Sequence, residues 1–166
     1  MLALGIDPGT ESTGYGIVSE DDAGVLSAIG FGVIKTSKAQ TTERRLKIIH
    51  EELSRIIFLN RPESAAVEKL FFQKNVTNAI AVGQARGVIL LALCEAEVQI
   101  AEYTPNEVKQ CVTGYGAADK KQVQEMVRVL LNLHEAPKPD DAADALAIAI
   151  CHIRHYRINS LMESNR

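Results

Sequence analysis

The 166-residue chain reads as one α/β domain built on a mixed sheet. Three observations carry this reading. First, stretches rich in Ile, Val and Gly at residues 2–7, 13–19 and 25–36 follow one another across short turn material, DPGTES and then EDDAG. Connections that short allow hairpins, so these three strands are expected to be antiparallel. Second, two more short strands, at 64–68 (SAAVE) and 98–103 (VQIAEY), each follow a helical pattern, which makes them crossover strands. Third, everything after residue 103 alternates helical pattern with loop. The resulting order is βββαβαβααα.

Each element has its own local reason. From Thr41 the period changes: Leu46, Ile49, Leu53, Ile56 and Ile57 share one helical face, and Asn60–Pro62 ends that helix. KLFFQKNV is a loop with two adjacent phenylalanines, Phe71 and Phe72. Residues 77–97 form a helix that is apolar on more than one side and holds Gly83 and Gly87. Ala79, Val82, Gly83, Arg86, Ile89 and Leu90 recur at helical spacing, and Leu91, Leu93 and Cys94 continue the apolar character. One face is therefore expected to pack on the sheet and an outer one, bearing Val82, on a second copy of the chain; the alternative is a helix wholly buried within one subunit. Thr104, Pro105 and Glu107 have the spacing of a capping box with proline at the first helical position. GYGAADKK is a glycine-rich link, and Asp119 or a neighbour starts a helix running to Leu133. A final helix is expected from about Asp140 to Tyr156, closing a domain of residues 1–156. The polar residues 157–166 are expected to form a flexible tail.

Composition narrows the function classes. The longest apolar run, Val88–Cys94, is too short to span a bilayer, and the opening apolar run lacks a basic leader and is broken by Asp7 and Pro8. Cys94, Cys111 and Cys151 are widely spaced with no CxxC, as expected of reduced thiols in a cytoplasmic protein. A net charge of −3 argues weakly against nucleic-acid binding. However, Lys69, Lys74 and Arg86 flank one segment, and Lys109, Lys120, Lys121 and Arg128 flank another. Local basic patches bind phosphates on globally acidic proteins, and two divalent cations would bring the chain from −3 to +1.

Four carboxylates hold the chemical signal. Asp7 ends the run LALGID, Glu68 ends SAAVE, and Asp141 and Asp144 stand three apart in DDAADALAIAI, on one helical face. An acidic group at the end of a buried strand is costly unless a cation neutralises it. Each residue also has a structural explanation. Asp-Pro-Gly suits a type II turn, Glu68 can pair with Lys69, and Asp140 or Asp141 can cap the last helix. The small neighbours of Asp144 suggest a packed surface, which favours a ligand there, with Asp140 as the cap.

At these residues the chain resembles a known family. GIDPGT…TGYG, Glu68 with FF.KN (Phe71–Asn75), GQARGV (Gly83–Val88), VKQ.VTGYG.A.K.QV (Val108–Val123) and D.ADALAIAI.H (Asp141–His152) together look like the RuvC family of Holliday-junction resolvases. Five blocks in the right order, from residue 2 to about residue 152, are far more specific than any one of them.

The resemblance implies a ribonuclease H-like fold and a metal-dependent endodeoxyribonuclease that nicks four-way junctions symmetrically. It assigns Asp7, Glu68, Asp141 and Asp144 as ligands of two Mg²⁺ ions about 3.5–4 Å apart, with Mn²⁺ able to substitute. It assigns Lys120 to catalysis, and Phe71, Phe72, Lys74, Lys109 and Lys120 to DNA contact, with a junction-wedging aromatic at Phe71 or its neighbour. It also implies a homodimer and a branch-migration helicase complex, RuvA and RuvB, as partner. The alternative kept open is a nuclease of the same fold acting on structured RNA. His152 and His155 lack a partner at ligand spacing and read as ordinary helical histidines.

Overall fold

The computed structural model describes residues 1–69 and 76–164. Five strands form one sheet in the order β3-β2-β1-β4-β5, with β1 at Leu2–Asp7, β2 at Ser12–Glu20, β3 at Leu26–Lys35, β4 at Ser64–Glu68 and β5 at Gln99–Tyr103. The β1–β2 and β2–β3 pairs are antiparallel, and the β1–β4 and β4–β5 pairs are parallel. The first three strands are antiparallel neighbours, as their short connections predict, and the hairpin half and the crossover half meet at β1.

Helices cover both faces. α1 (Thr42–Asn60) and α2 (Val76–Glu95) pack together, and Ile49, Leu53, Ile56 and Ile57 share a core with Ala85, Ile89, Ala92 and Leu93 against Leu4, Ile6 and Val67. On the other face, α5 (Asp140–Ser164) lies directly on the sheet, and α3 (Pro105–Thr113) and α4 (Lys120–Leu130) pack outside it. Ala142, Ala143, Ala145, Leu146, Ala147, Ile148, Ala149 and Ile150 are all buried, because α5 has the sheet on one side and two helices on the other.

Glycine sets how closely α5 approaches. A methyl group at Gly16 would lie 2.7 Å from the Leu146 backbone nitrogen, and one at Gly14 would overlap the Asp141 carbonyl. The glycines of the TGYG stretch thus let the helix backbone rest on the β2 backbone.

Local capping follows the sequence. Thr104 Oγ1 accepts the Glu107 N–H at 3.1 Å, and the Glu107 carboxylate accepts the Thr104 N–H at 2.7 Å. Asp119 and Gln122 form a second reciprocal cap at the start of α4.

Four expectations need correction. The last helix runs to Ser164 rather than stopping near Tyr156, so most of the expected flexible tail is helical. Asp140 is the first residue of α5 rather than its cap, and the carbonyl of Pro139 receives the Ala142 and Ala143 N–H groups there. Asp7-Pro8-Gly9 is not a type II turn, since that turn needs positive φ at its glycine, and among the described residues only Gly24 and Gly114 are glycines of positive φ. Finally, the outward side of α2 differs from the expected one. Ile89 is fully buried and Val82, two turns before it, is half-buried on the same side, whereas Ile80 and Leu91 are 61% and 52% exposed. The exposed stripe is Ile80, Gln84, Gly87, Leu91 and Cys94. No helix among the described residues is long and apolar enough to cross a membrane.

Candidate active site

Sheet register brings the first two carboxylates together. Ile6 on β1 stands beside Val67 on the parallel β4, so Asp7 and Glu68, one residue further on each strand, end side by side at the same sheet edge. The first turns of α5 are laid over that edge by the close contact at Gly14. One carboxylate oxygen each from Asp7, Asp141 and Asp144 lies within 4.8 Å of the others. Glu68 stands outside this triad but raises the pKa of Asp7 electrostatically, and it shares a cleft of about 200 Å³ with Asp144, Lys109 and Lys120.

The electrostatics are those of crowded, half-buried acids. Burial, and after it the negative charges of Glu68, Asp144 and Asp141, push the Asp7 carboxyl up to about 8. Burial and then Asp144 push Glu68 up to about 7, against the opposing pull of Lys109 and Lys120. Asp144 is also raised, chiefly by burial, although its contact with Lys120 works the other way. Such a group of acids is poorly compensated by the protein alone, which is the condition under which a bound cation contributes most. The donors are all carboxylate oxygens, a set that suits hard divalent cations rather than zinc.

Lys120, the first residue of α4, reaches into the group. Its Nζ is 3.1 Å from Asp144 and 3.3 Å from Asp140. Burial alone would lower its pKa, but the hydrogen bonds and charges of Asp144 and Asp140 outweigh that and raise it. Asp140 also accepts a hydrogen bond from Gln124 Nε2 at 2.9 Å. Sequence reading missed this role by treating Asp140 as a cap. The available signal was its i, i+4 spacing from Asp144, which places both on one face. Lys109 on α3 also lines the cleft.

Arg86 and Arg128 are used structurally. Arg86 pairs with Glu102 and donates to the Glu68 carbonyl at 3.4 Å, tying α2 to the ends of β4 and β5. Arg128 pairs with Glu125. His152 is buried, with Nε2 2.8 Å from Ser64 Oγ and Nδ1 3.0 Å from the Tyr103 hydroxyl. Its burial, and then the neighbouring His155, lower its pKa to about 4, as befits a neutral core histidine. Phe71, Phe72 and Lys74 lie outside the described residues.

Comparison with known proteins gives the family. The family model described as "Crossover junction endodeoxyribonuclease RuvC" matches residues 3–152. A protein of that name from Syntrophomonas wolfei is 49% identical over 165 residues, covering 99% of this chain and 95% of the relative. Its namesake from Halothermothrix orenii is 55% identical over 159 residues, covering 96% of each. Thermus thermophilus RuvC, solved in complex with a Holliday junction substrate, superposes with a TM-score of 0.91 at 40% identity and 96% coverage of both chains. The fold is thus ribonuclease H-like, and the chain belongs to the RuvC family of crossover junction endodeoxyribonucleases.

Proposed function

We propose that this protein is a Mg²⁺-dependent endonuclease that resolves four-way DNA junctions by paired, symmetric nicking during recombination and repair. The observation that carries the reading is the triad Asp7, Asp141 and Asp144, with Glu68 beside it, in a chain about half identical to junction resolvases over nearly its whole length. The four carboxylates would hold two Mg²⁺ ions, or Mn²⁺ in their place. A bound cation would supply Lewis-acid activation of water and charge neutralisation at the scissile phosphate, for a hydrolysis that leaves a 5′-phosphate and a 3′-hydroxyl.

The remaining work falls to the chain's own residues. Asp7 and Glu68, fixed at strand ends, and Asp141 and Asp144, fixed by helix-on-sheet packing, keep the oxygen donors in place. Lys120 sits against Asp144 and presents a cation at the cleft, where it supports catalysis by neutralising the scissile phosphate. Lys109, which also lines the cleft, takes a flanking phosphate, positioning the backbone without reading sequence. Phe71 or Phe72 wedges the branch point and Lys74 adds a phosphate contact; these assignments rest on the family resemblance. Two symmetric cuts call for two sites, and the protein works as a homodimer through the exposed side of α2, whose Ile80 and Leu91 lack cover within the subunit. It acts in the cytoplasm, in succession to a RuvA–RuvB branch-migration complex.

The test is cleavage of an end-labelled mobile four-way junction, in Mg²⁺ and in EDTA, beside an RNA hairpin of equal length. Paired nicks in the junction alone, lost in EDTA, are expected. Preferential cutting of the hairpin would replace this reading with the RNA alternative.

A further inference from the structure

The link Gly114–Gly116 between α3 and α4 is more rigid than its glycines suggest. Gly114 caps α3 in the left-handed conformation, φ 77°, with its N–H on the Gln110 carbonyl. The Gln110 side chain then clamps the loop, donating to the Gly114 carbonyl at 2.8 Å and accepting the Gly116 N–H at 2.9 Å. Thr113 Oγ1 accepts the Tyr115 N–H at 3.1 Å, and the Tyr115 carbonyl accepts the Ala118 N–H at 3.1 Å. Tyr115 is therefore held on both sides of its backbone, yet the residue is 63% exposed. An exposed aromatic on a held backbone contributes little to the core.

Its surroundings match a nucleotide. Tyr115 borders an open depression of about 490 Å³ whose lining includes Thr113, Ala118, Met126 and Lys121. The two carboxylates at the rim are already engaged, Asp119 by the Gln122 N–H and Glu125 by Arg128. Beside them the depression offers the Tyr115 ring, the apolar Ala118 and Met126 and the cation of Lys121, a set that suits a base and sugar with their phosphate. Tyr115 is also close to the cleft. It precedes Lys120 by five residues, which span at most about 18 Å even when extended. That is about five steps of a DNA strand at ~3.4 Å each.

We propose that Tyr115 is a DNA contact of this enzyme: its ring stacks on a nucleoside of the strand leading away from the cleavage site, and Lys121 takes the adjoining phosphate. The proposal rests on junction DNA being the substrate and adds a second binding point outside the carboxylate cleft.

The chain has no tryptophan, so Tyr115→Trp carries its only indole. Binding of a four-way junction is measured in EDTA, where cleavage and the cation site play no part. Indole emission is expected to be quenched on saturation. Tyr115→Ala is expected to weaken binding about 5- to 150-fold, the range of one base stack. Tyr115→Phe is expected to bind like wild type, and the thermal midpoint of Tyr115→Ala is expected to be unchanged. Unchanged indole emission, Tyr115→Ala affinity within about twofold of wild type, or an affinity loss matched by a lowered thermal midpoint would each overturn the proposal. Failure of the wild-type protein to bind the junction would overturn the substrate reading, and this contact with it.

Discussion

Gly14 on β2 lies directly beneath the backbone carbonyl of Asp141 on α5, with no room for a Cβ between them. One of the proposed metal ligands is therefore positioned by the absence of a side chain on a neighbouring strand. Gly14→Ala should push the start of α5 off the sheet. Ligand displacements of about 1 Å can cost about 100-fold in rate, so junction cleavage should fall by that order while binding is kept. Gly30→Ala is the control, because a methyl group there meets nothing within 4 Å. Equal activity of the two variants would show that the contact does not set the site.

The lysines of the cleft should differ from surface lysines in their salt dependence. Lys109→Ala and Lys120→Ala should each flatten the slope of log K against log salt for junction binding by up to ~1. Lys120→Ala should also slow cleavage, since it leaves Asp144 and Asp140 without their shared cation. An unchanged slope and rate would return both residues to the solvated surface.

The crowded acids give the metal-free protein a definite pH response. Asp7 rises from 3.8 to about 8 in the folded state and Glu68 from 4.5 to about 7. The folded protein thus holds protons that the unfolded chain releases. The associated stability is complete below about pH 4 and is lost as the pH rises through 7 to 8. In EDTA, thermal midpoints should fall between pH 5 and pH 8, and Mg²⁺ should restore them at pH 8. Asp7→Asn should be more stable than wild type at pH 8 without metal. A wild-type midpoint that rises over this range would contradict the electrostatic account.

The exposed stripe of α2 gives the proposed dimer its test. Leu91→Glu should yield monomers by sedimentation and convert paired resolution into single nicks, with the fold intact because the side chain is 52% exposed. A Leu91→Glu protein that sediments as the wild-type dimer would remove this face from the interface.

Much of this was legible in the sequence because the deciding signals are local. Turn material between the first strands fixed the hairpin half, and the Thr104–Glu107 spacing announced a cap that forms as read. The errors fall where a distant partner decides. Asp140 has a good capping side chain, but Lys120 and Gln124, from another helix, take it. Asp-Pro-Gly has turn propensity, yet here it continues out of a strand without positive φ at Gly9. An α2 apolar on all sides carries little periodicity, so its inner and outer faces could be told apart only from the packing of Ile89 and Ala85. The adjacency of Asp7 and Glu68 depends on the β1–β4 register, which no local pattern encodes.

The central claim is that the four carboxylates form one cation-dependent cleavage site. Its most direct measurement is junction cleavage by Asp7→Asn, Glu68→Gln, Asp141→Asn and Asp144→Asn, each beside its own junction-binding isotherm in EDTA. Each change removes a charge with little change in volume, so all four should lose cleavage while binding the junction about as well as wild type. Wild-type cleavage by any one variant would remove that residue from the site, and wild-type cleavage by Asp7→Asn or Asp144→Asn would contradict the account as a whole.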